Sequence, residues 1–141
     1  MDFAARVRDS FGRQNAMALI GARLALVEAG RVEIALAYRD DLTQQKGYIH
    51  GGIVGMIADS ACGYAAYSLM PADASPITVE YKINILHPAR GALRARGEVV
   101  KAGRTLSVTR GDVFDEDGRL VATMQQTLMT LASTSDRREP A

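Results

Sequence analysis

Tryptophan is absent from this 141-residue chain, cysteine occurs once, and histidine occurs twice, at His50 and His87. A single cysteine, Cys62, excludes an intrachain disulfide and points to a reducing, cytoplasmic setting. Two histidines without a Cys or carboxylate pattern beside them offer none of the usual zinc-ligand spacings, so no metal is expected. Neither sign of charge dominates. Lys and Arg total 17 against 16 Asp and Glu, a net charge of +1, whereas a nucleic-acid-binding face is strongly basic. The start, Met1-Asp2-Phe3-Ala4-Ala5-Arg6, lacks a basic segment followed by an apolar run, so no secretory signal is read. The one stretch long enough to raise a membrane question, Ile49 to Met70, is filled with Gly, Ala and Ser and carries Asp59 near its centre. An acid there costs about 2.5–3.5 kcal/mol on insertion, and the small residues do not offset it. It reads as a buried helix. What is present is ordinary globular composition, 48% hydrophobic and 23% charged. The length is that of one domain, expected over residues 1–132, with a polar, disordered tail over 133–141.

Phe3, Val7 and Phe11 recur every four residues, as on one face of a short helix, which Gly12-Arg13-Gln14-Asn15 breaks. The runs 23–28 and 31–38 read as two strands joined at Ala29-Gly30. Gly51 to about Leu69 is the single long helix, stopped by Pro71. Its small residues, Gly55, Ala58, Ala61, Gly63, Ala65 and Ala66, allow other backbone to approach closely, as a central helix wrapped by a sheet requires. Beyond Asp73 the period becomes two. Ile77, Val79, Tyr81, Ile83 and Ile85 alternate with mostly polar neighbours and predict one long half-buried strand with Thr78 on the opposite face. Strands follow from Leu93, from Thr105 to Phe114 with a bulge expected near Arg110-Gly111, and from Leu120 to Leu131. The order predicts an α+β fold, an antiparallel sheet with one buried helix.

Two features carry candidate chemistry. His50-Gly51-Gly52 stands where a loop enters the long helix, and a helix N-terminus has free N–H donors and about half a positive charge. Such donors polarise a carbonyl or hold an oxyanion; the same glycines also serve a tight turn. Asp59 is the sole acid between Asp41 and Asp73. A lone carboxylate among apolar residues is either functional or a hydrogen-bonded structural group. Gly51 and Asp59, eight residues apart, lie about 12 Å apart along one helix. A donor on a carbonyl oxygen and a base at its carbon act within a few ångströms of each other. One helix therefore cannot supply both. Two antiparallel helices of a symmetric dimer can, each giving Asp59 to the other's Gly51. Among the remaining candidates, Thr78 either holds a water or fills a pleat, Cys62 reads as a packing residue, and Lys101-Ala102-Gly103-Arg104-Thr105 is a basic turn able to meet phosphate. Met56, Tyr64 and Tyr67 read as core or as pocket lining.

The run from Gln44 through His50-Gly51-Gly52 to Asp59 resembles the signature of hotdog-fold acyl-CoA thioesterases, nearest the phenylacetate-degradation (PaaI-like) branch. Thr78-Val79-Glu80-Tyr81, Pro88-Ala89 and Gly103-Arg104-Thr105-Leu106 fit it too. The resemblance implies a sheet wrapped around the Gly51–Leu69 helix, a homodimer with a continuous sheet, usually a homotetramer, and hydrolysis of an acyl-CoA substrate with no cofactor. By position, Asp59 is the base or nucleophile, and the Gly51 N–H polarises the thioester carbonyl. Gln44 orients the carbonyl or the water, Thr78 stands near that water, and His50 supports the oxyanion end. Gly52, Val79, Glu80, Gly103, Arg104 and Thr105 fall on the side where relatives hold substrate and CoA. Two rival readings are a hotdog hydratase or dehydratase, which pairs a catalytic His with an acid, and a non-catalytic acyl-CoA-binding or regulatory module, which has no need of Asp59.

Overall fold

The computed structural model describes residues 2–132, so the tail expected at 133–141 lies outside the described residues. Asp2 caps α1 (Phe3–Gly12), its side chain accepting the Ala5 N–H at 2.7 Å, one of the donors a helix start leaves free. A second short helix, α2 (Asn15–Ile20), follows and ends at Gly21, whose φ of 75° only glycine adopts easily; the periodicity does not announce this helix. Strands β1 (Arg23–Glu28) and β2 (Arg31–Leu36) form the expected hairpin. The long helix α3 (Gly51–Ser68) is followed by β3 (Ala74–Ile85), β4 (Leu93–Ala102), β5 (Leu106–Asp115) and β6 (Leu120–Ala132).

All strand pairs are antiparallel, in the order β1-β2-β4-β5-β6-β3. The sheet wraps α3, which packs against β2, β3, β4 and β5. Val54, Ile57, Ala58, Ala61 and Ala65 of α3 are fully buried against Val32, Ile34, Ala95 and Val113. This is the α+β arrangement that the order of elements predicts, and the hotdog fold that the resemblance implies. Among the described residues no helix is long and apolar enough to cross a membrane.

Two glycines set how closely helix and sheet approach. A methyl group on Gly97 of β4 would lie 2.3 Å from the Ala61 carbonyl carbon, and one on Gly111 of β5 would lie 2.8 Å from Cys62 Sγ. The two residues face each other in the β4–β5 register. The bulge expected near Arg110-Gly111 is therefore absent. Gly111 serves the seating of α3, and the register shifts lie instead at Val99/Lys101 and Val113/Phe114.

The long strand also departs from its expected pattern. A bulge between Thr78 and Glu80 leaves Val79 unpaired with β6, and an extra residue reverses which side chains face inward. Ile77 and Val79 point away from α3 and are about half exposed, at 48% and 54%. Thr78 points toward α3, and so do Tyr81 and Ile85, whose side chains reach Gly55 and Gly51. The five alternating apolar residues thus do not share one buried face. Among the described residues β3 pairs only with β6, so its other edge is free.

Candidate active site

Helix α3 carries three positions, each four residues from the next, that meet the same strand. Gly51 faces Ile85, Gly55 faces the Tyr81 hydroxyl, and Asp59 faces Thr78. Four residues bring a helix round to nearly the same face, and the bulge at Val79 lets Thr78 join Tyr81 and Ile85 on the matching side of β3.

At the start of α3, the His50 carbonyl accepts the Ile53 and Val54 N–H groups at 2.9 and 3.1 Å. The His50 ring is the cap, with Nδ1 accepting the Gly52 N–H at 2.8 Å. An accepting Nδ1 places the ring proton on Nε2. The Gly51 N–H has no partner among the described residues, so it is the donor left for a ligand. The preceding loop is tied down by bonds from the Ile49 N–H to the Ala89 carbonyl and from the His50 N–H to the Leu42 carbonyl, each 2.9 Å. Within it, the Gln44 side-chain oxygen accepts the Lys46 and Tyr48 N–H groups. That oxygen shapes the loop, and the amide NH2 of Gln44 is the part left to reach a ligand.

In the middle of α3, Asp59 Oδ1 accepts two hydrogen bonds, one from Thr78 Oγ1 at 2.9 Å and one from Gln126 Nε2. Oδ2 receives none from the described residues. The carboxylate borders a cavity of about 330 Å³ whose walls include Gln14, Ser60, Tyr64, Tyr67, Pro76 and Leu128. Polar pairs bridge its rim: Ser60 Oγ donates to Gln14 Oε1, and the Ser10 and Tyr64 hydroxyls pair, each at 3.1 Å. Burial pushes the Tyr64 phenol above its ordinary range, with the Ser10 bond opposing. Tyr64 and Tyr67 therefore do both things the sequence allowed, packing in the core and lining a pocket, whereas Met56 packs against the core. One turn beyond Asp59, the buried Cys62 thiol is pushed up to about 12, chiefly by desolvation, so it is protonated at neutral pH and acts as packing.

The remaining candidates lie elsewhere. Gly103, Arg104 and Thr105 form the β4–β5 turn, beside a recess of about 100 Å³ that Leu69 and Met70 also line at the far end of α3. A methyl group on Gly103 would overlap the Leu106 carbonyl oxygen at 2.2 Å, so the turn requires glycine. Val79 and Glu80 are exposed at the bulge of the edge strand. The fold thus joins Asp59 to Thr78 but leaves Gly51 about 12 Å away along the helix. Among the described residues no three His, Cys, Asp or Glu side chains converge as metal ligands.

The family model for the thioesterase superfamily matches residues 46–122. The chain belongs to that superfamily. A thioesterase family protein of Silicibacter pomeroyi has a crystal structure similar to this one at a TM-score of 0.90, with 50% identity, covering 92% of this chain and 98% of that one. A Saccharolobus solfataricus protein, named only provisionally as an esterase, is 34% identical over 97 residues, 68% of this chain and 69% of its own length. The 1,4-dihydroxy-2-naphthoyl-CoA hydrolase of Listeria monocytogenes is 26% identical over 110 residues, 77% of this chain and 89% of its own length. In this thioesterase-superfamily chain the matched region runs from the loop before α3 to the start of β6 and contains Gly51, Asp59 and Thr78. Gln126 lies just beyond it and is absent from the sequence candidates. Its signal was available: on β6, Ala122, Met124, Gln126 and Leu128 all face inward and are buried, and an amide among them breaks an apolar row.

Proposed function

We propose that the protein hydrolyses acyl-CoA thioesters, releasing the free acid and CoA. The observation that carries this reading is Asp59. It is a lone carboxylate on a buried helix, one oxygen held by two donors and the other free beside a cavity, in a chain of the thioesterase superfamily. A water attacks the carbonyl carbon as Asp59 takes its proton, or Asp59 attacks and water cleaves the resulting anhydride. In both routes the C–S bond breaks, the sulfur leaves with a proton as the CoA thiol, and one water is consumed. The Gly51 N–H polarises the carbonyl oxygen, with His50 holding the helix start in place. The Gln44 amide orients carbonyl or water, and Thr78 donates a hydrogen bond to the carboxylate.

The separation of Gly51 from Asp59 makes the site one shared between two copies. The free β3 edge supports that assembly, since it carries exposed Ile77, Val79, Tyr81 and Ile85 beside unpaired backbone groups. In this reading Gly52, Val79 and Glu80 line the CoA path, and Gly103, Arg104 and Thr105 meet its phosphates. The name of the Listeria relative, a CoA-thioester hydrolase, supports CoA as the carrier. The Gln44-to-Asp59 run supports the PaaI-like branch.

A panel of acyl-CoAs with a thiol-detecting dye tests the reading. The parent should release CoA. Asp59→Asn should lose about 10²–10⁴ in rate, the usual contribution of a positioned base, while keeping its circular dichroism. Mixing it with a Gly51→Val variant should restore activity in heterodimers. A parent inactive on every thioester, or an Asp59→Asn variant at parent rate, refutes the proposal; no recovery after verified exchange refutes the shared site.

A further inference from the structure

We infer that Gln126 is a positioning residue for Asp59, fixing which carboxylate oxygen faces the substrate; the inference rests on the thioesterase reading above. Gln126 is fully buried on the helix-facing side of β6, and Ala122, Met124 and Leu128 on the same face are all apolar. Burying an amide is costly unless its polar atoms are paired. Here the pairing is incomplete. Nε2 donates to Asp59 Oδ1, while Oε1 is buried with no partner among the described residues. A leucine would fill this place without leaving an orphan acceptor, so packing does not account for a glutamine. Among the described residues the one partner of its side chain is the carboxylate.

Thr78 and Gln126 reach Oδ1 from two different strands, β3 and β6, which are neighbours in the sheet. Two donors on one oxygen fix both the position of the carboxylate and its rotation about the Cβ–Cγ bond. Thr78 alone, a single rotatable hydroxyl on an edge strand, leaves that rotation free. With Gln126 in place, Oδ2 is the oxygen without a donor among the described residues and thus the one free to take a proton or attack carbon. Gln126 is fully buried behind Asp59 and is not among the residues lining the cavity that the carboxylate borders. Its effect passes entirely through Asp59.

The test compares Gln126→Leu and Gln126→Met with the parent, in steady-state kinetics and in denaturant unfolding. Misplacing a reacting group slightly costs about 10- to 100-fold, so kcat should fall by that factor. KM should stay within about twofold, because substrate binding is untouched. The unfolding midpoint should stay at or above the parent value, since the orphan oxygen is gone. A residue that merely supports the fold gives the reverse pattern, a lowered midpoint with parent kcat in the folded fraction, and overturns the proposal. A double-mutant cycle between Gln126→Leu and Asp59→Asn, read on unfolding free energy, reports the contact without any turnover. Non-additivity is expected, and strict additivity overturns the proposal. A non-additive cycle in a chain that hydrolyses no thioester overturns the proposed function, and leaves Gln126 a structural partner of Asp59 only. Two substitutions are used so that, if Leu fails to fold, the more adaptable Met decides.

Discussion

Replacing Gly97 with alanine should unseat the central helix. The new methyl carbon would stand 2.3 Å from the Ala61 carbonyl carbon, 2.4 Å from its oxygen and 2.5 Å from the Cys62 nitrogen. Carbon atoms settle at about 3.5–4.0 Å, so helix and strand must part by about 1 Å. No side chain can rotate away, because every obstructing atom is main chain. Overpacking typically costs about 1–3 kcal/mol, and main-chain obstruction places this case at the upper end, about 3 kcal/mol. For a chain near this length that corresponds to a fall in Tm of about 10 °C. Urea unfolding followed by circular dichroism should show a lower midpoint with an unchanged slope. Gly12→Ala, where a methyl group meets nothing within 4 Å, is the control and should leave the midpoint nearly in place. Asp59 lies two residues before Ala61, so the displaced helix should also draw the carboxylate from Thr78 and lower turnover of the folded fraction. A Gly97→Ala midpoint equal to the parent's would refute the reasoning that backbone contact at this glycine seats α3.

Two further outcomes follow from groups elsewhere, one in the β4–β5 turn and one on the helix. Arg104→Ala should raise KM for acyl-CoA with little change in kcat, as loss of a phosphate contact common to ground and transition states does. The difference should shrink as salt screens an exposed charge and vanish on a substrate lacking the nucleotide phosphates; equal loss on both substrates assigns Arg104 to the fold or the chemistry. Cys62, raised to about 12 in the fold against about 8.5 when unfolded, holds its proton more tightly in the native state. Its contribution to stability is full below about pH 8.5 and is lost as pH climbs toward 12. The unfolding free energy of Cys62→Ala should therefore decline less steeply than the parent's above pH 8.5, and parallel declines would show that the thiol is not the cause.

The long central helix and the succession of strands along the chain were legible because small residues and period-two runs mark them without tertiary context, whereas the pairing of β2 with β4 and of β6 with β3 was not. Asp59 was legible for the same reason, as a charge where the pattern allows none. The pairing of Asp59 with Thr78 was not. Strict alternation places Thr78 opposite Ile77 and Val79, which holds, but it carries Tyr81, Ile83 and Ile85 to the side of Ile77, which the bulge reverses. A bulge is set by how two strands and a helix settle together, and nothing in the residues around Val79 declares it. Gly111 misled for a related cause. A glycine in a strand signals either a bulge or a close approach, and only the position of Cys62 on α3 decides between them. Gln126 was readable in principle, but its meaning depends on a carboxylate 67 residues away in sequence.

The extra residue at Val79 gives β3 something like a reading frame. Upstream of it, even-numbered positions such as Thr78 face the helix; downstream, odd-numbered ones such as Tyr81 and Ile85 do. Because the consecutive β6 residues Leu128 and Thr127 pair with Thr78 and Glu80, Val79 is the inserted letter. Deleting it would restore strict alternation and leave Thr78, Tyr81 and Ile85 on the helix side. A related sequence lacking this residue would thus present the same faces across a one-residue gap, whereas an alignment without that gap would set every residue on one side of the bulge against a neighbour from the opposite face.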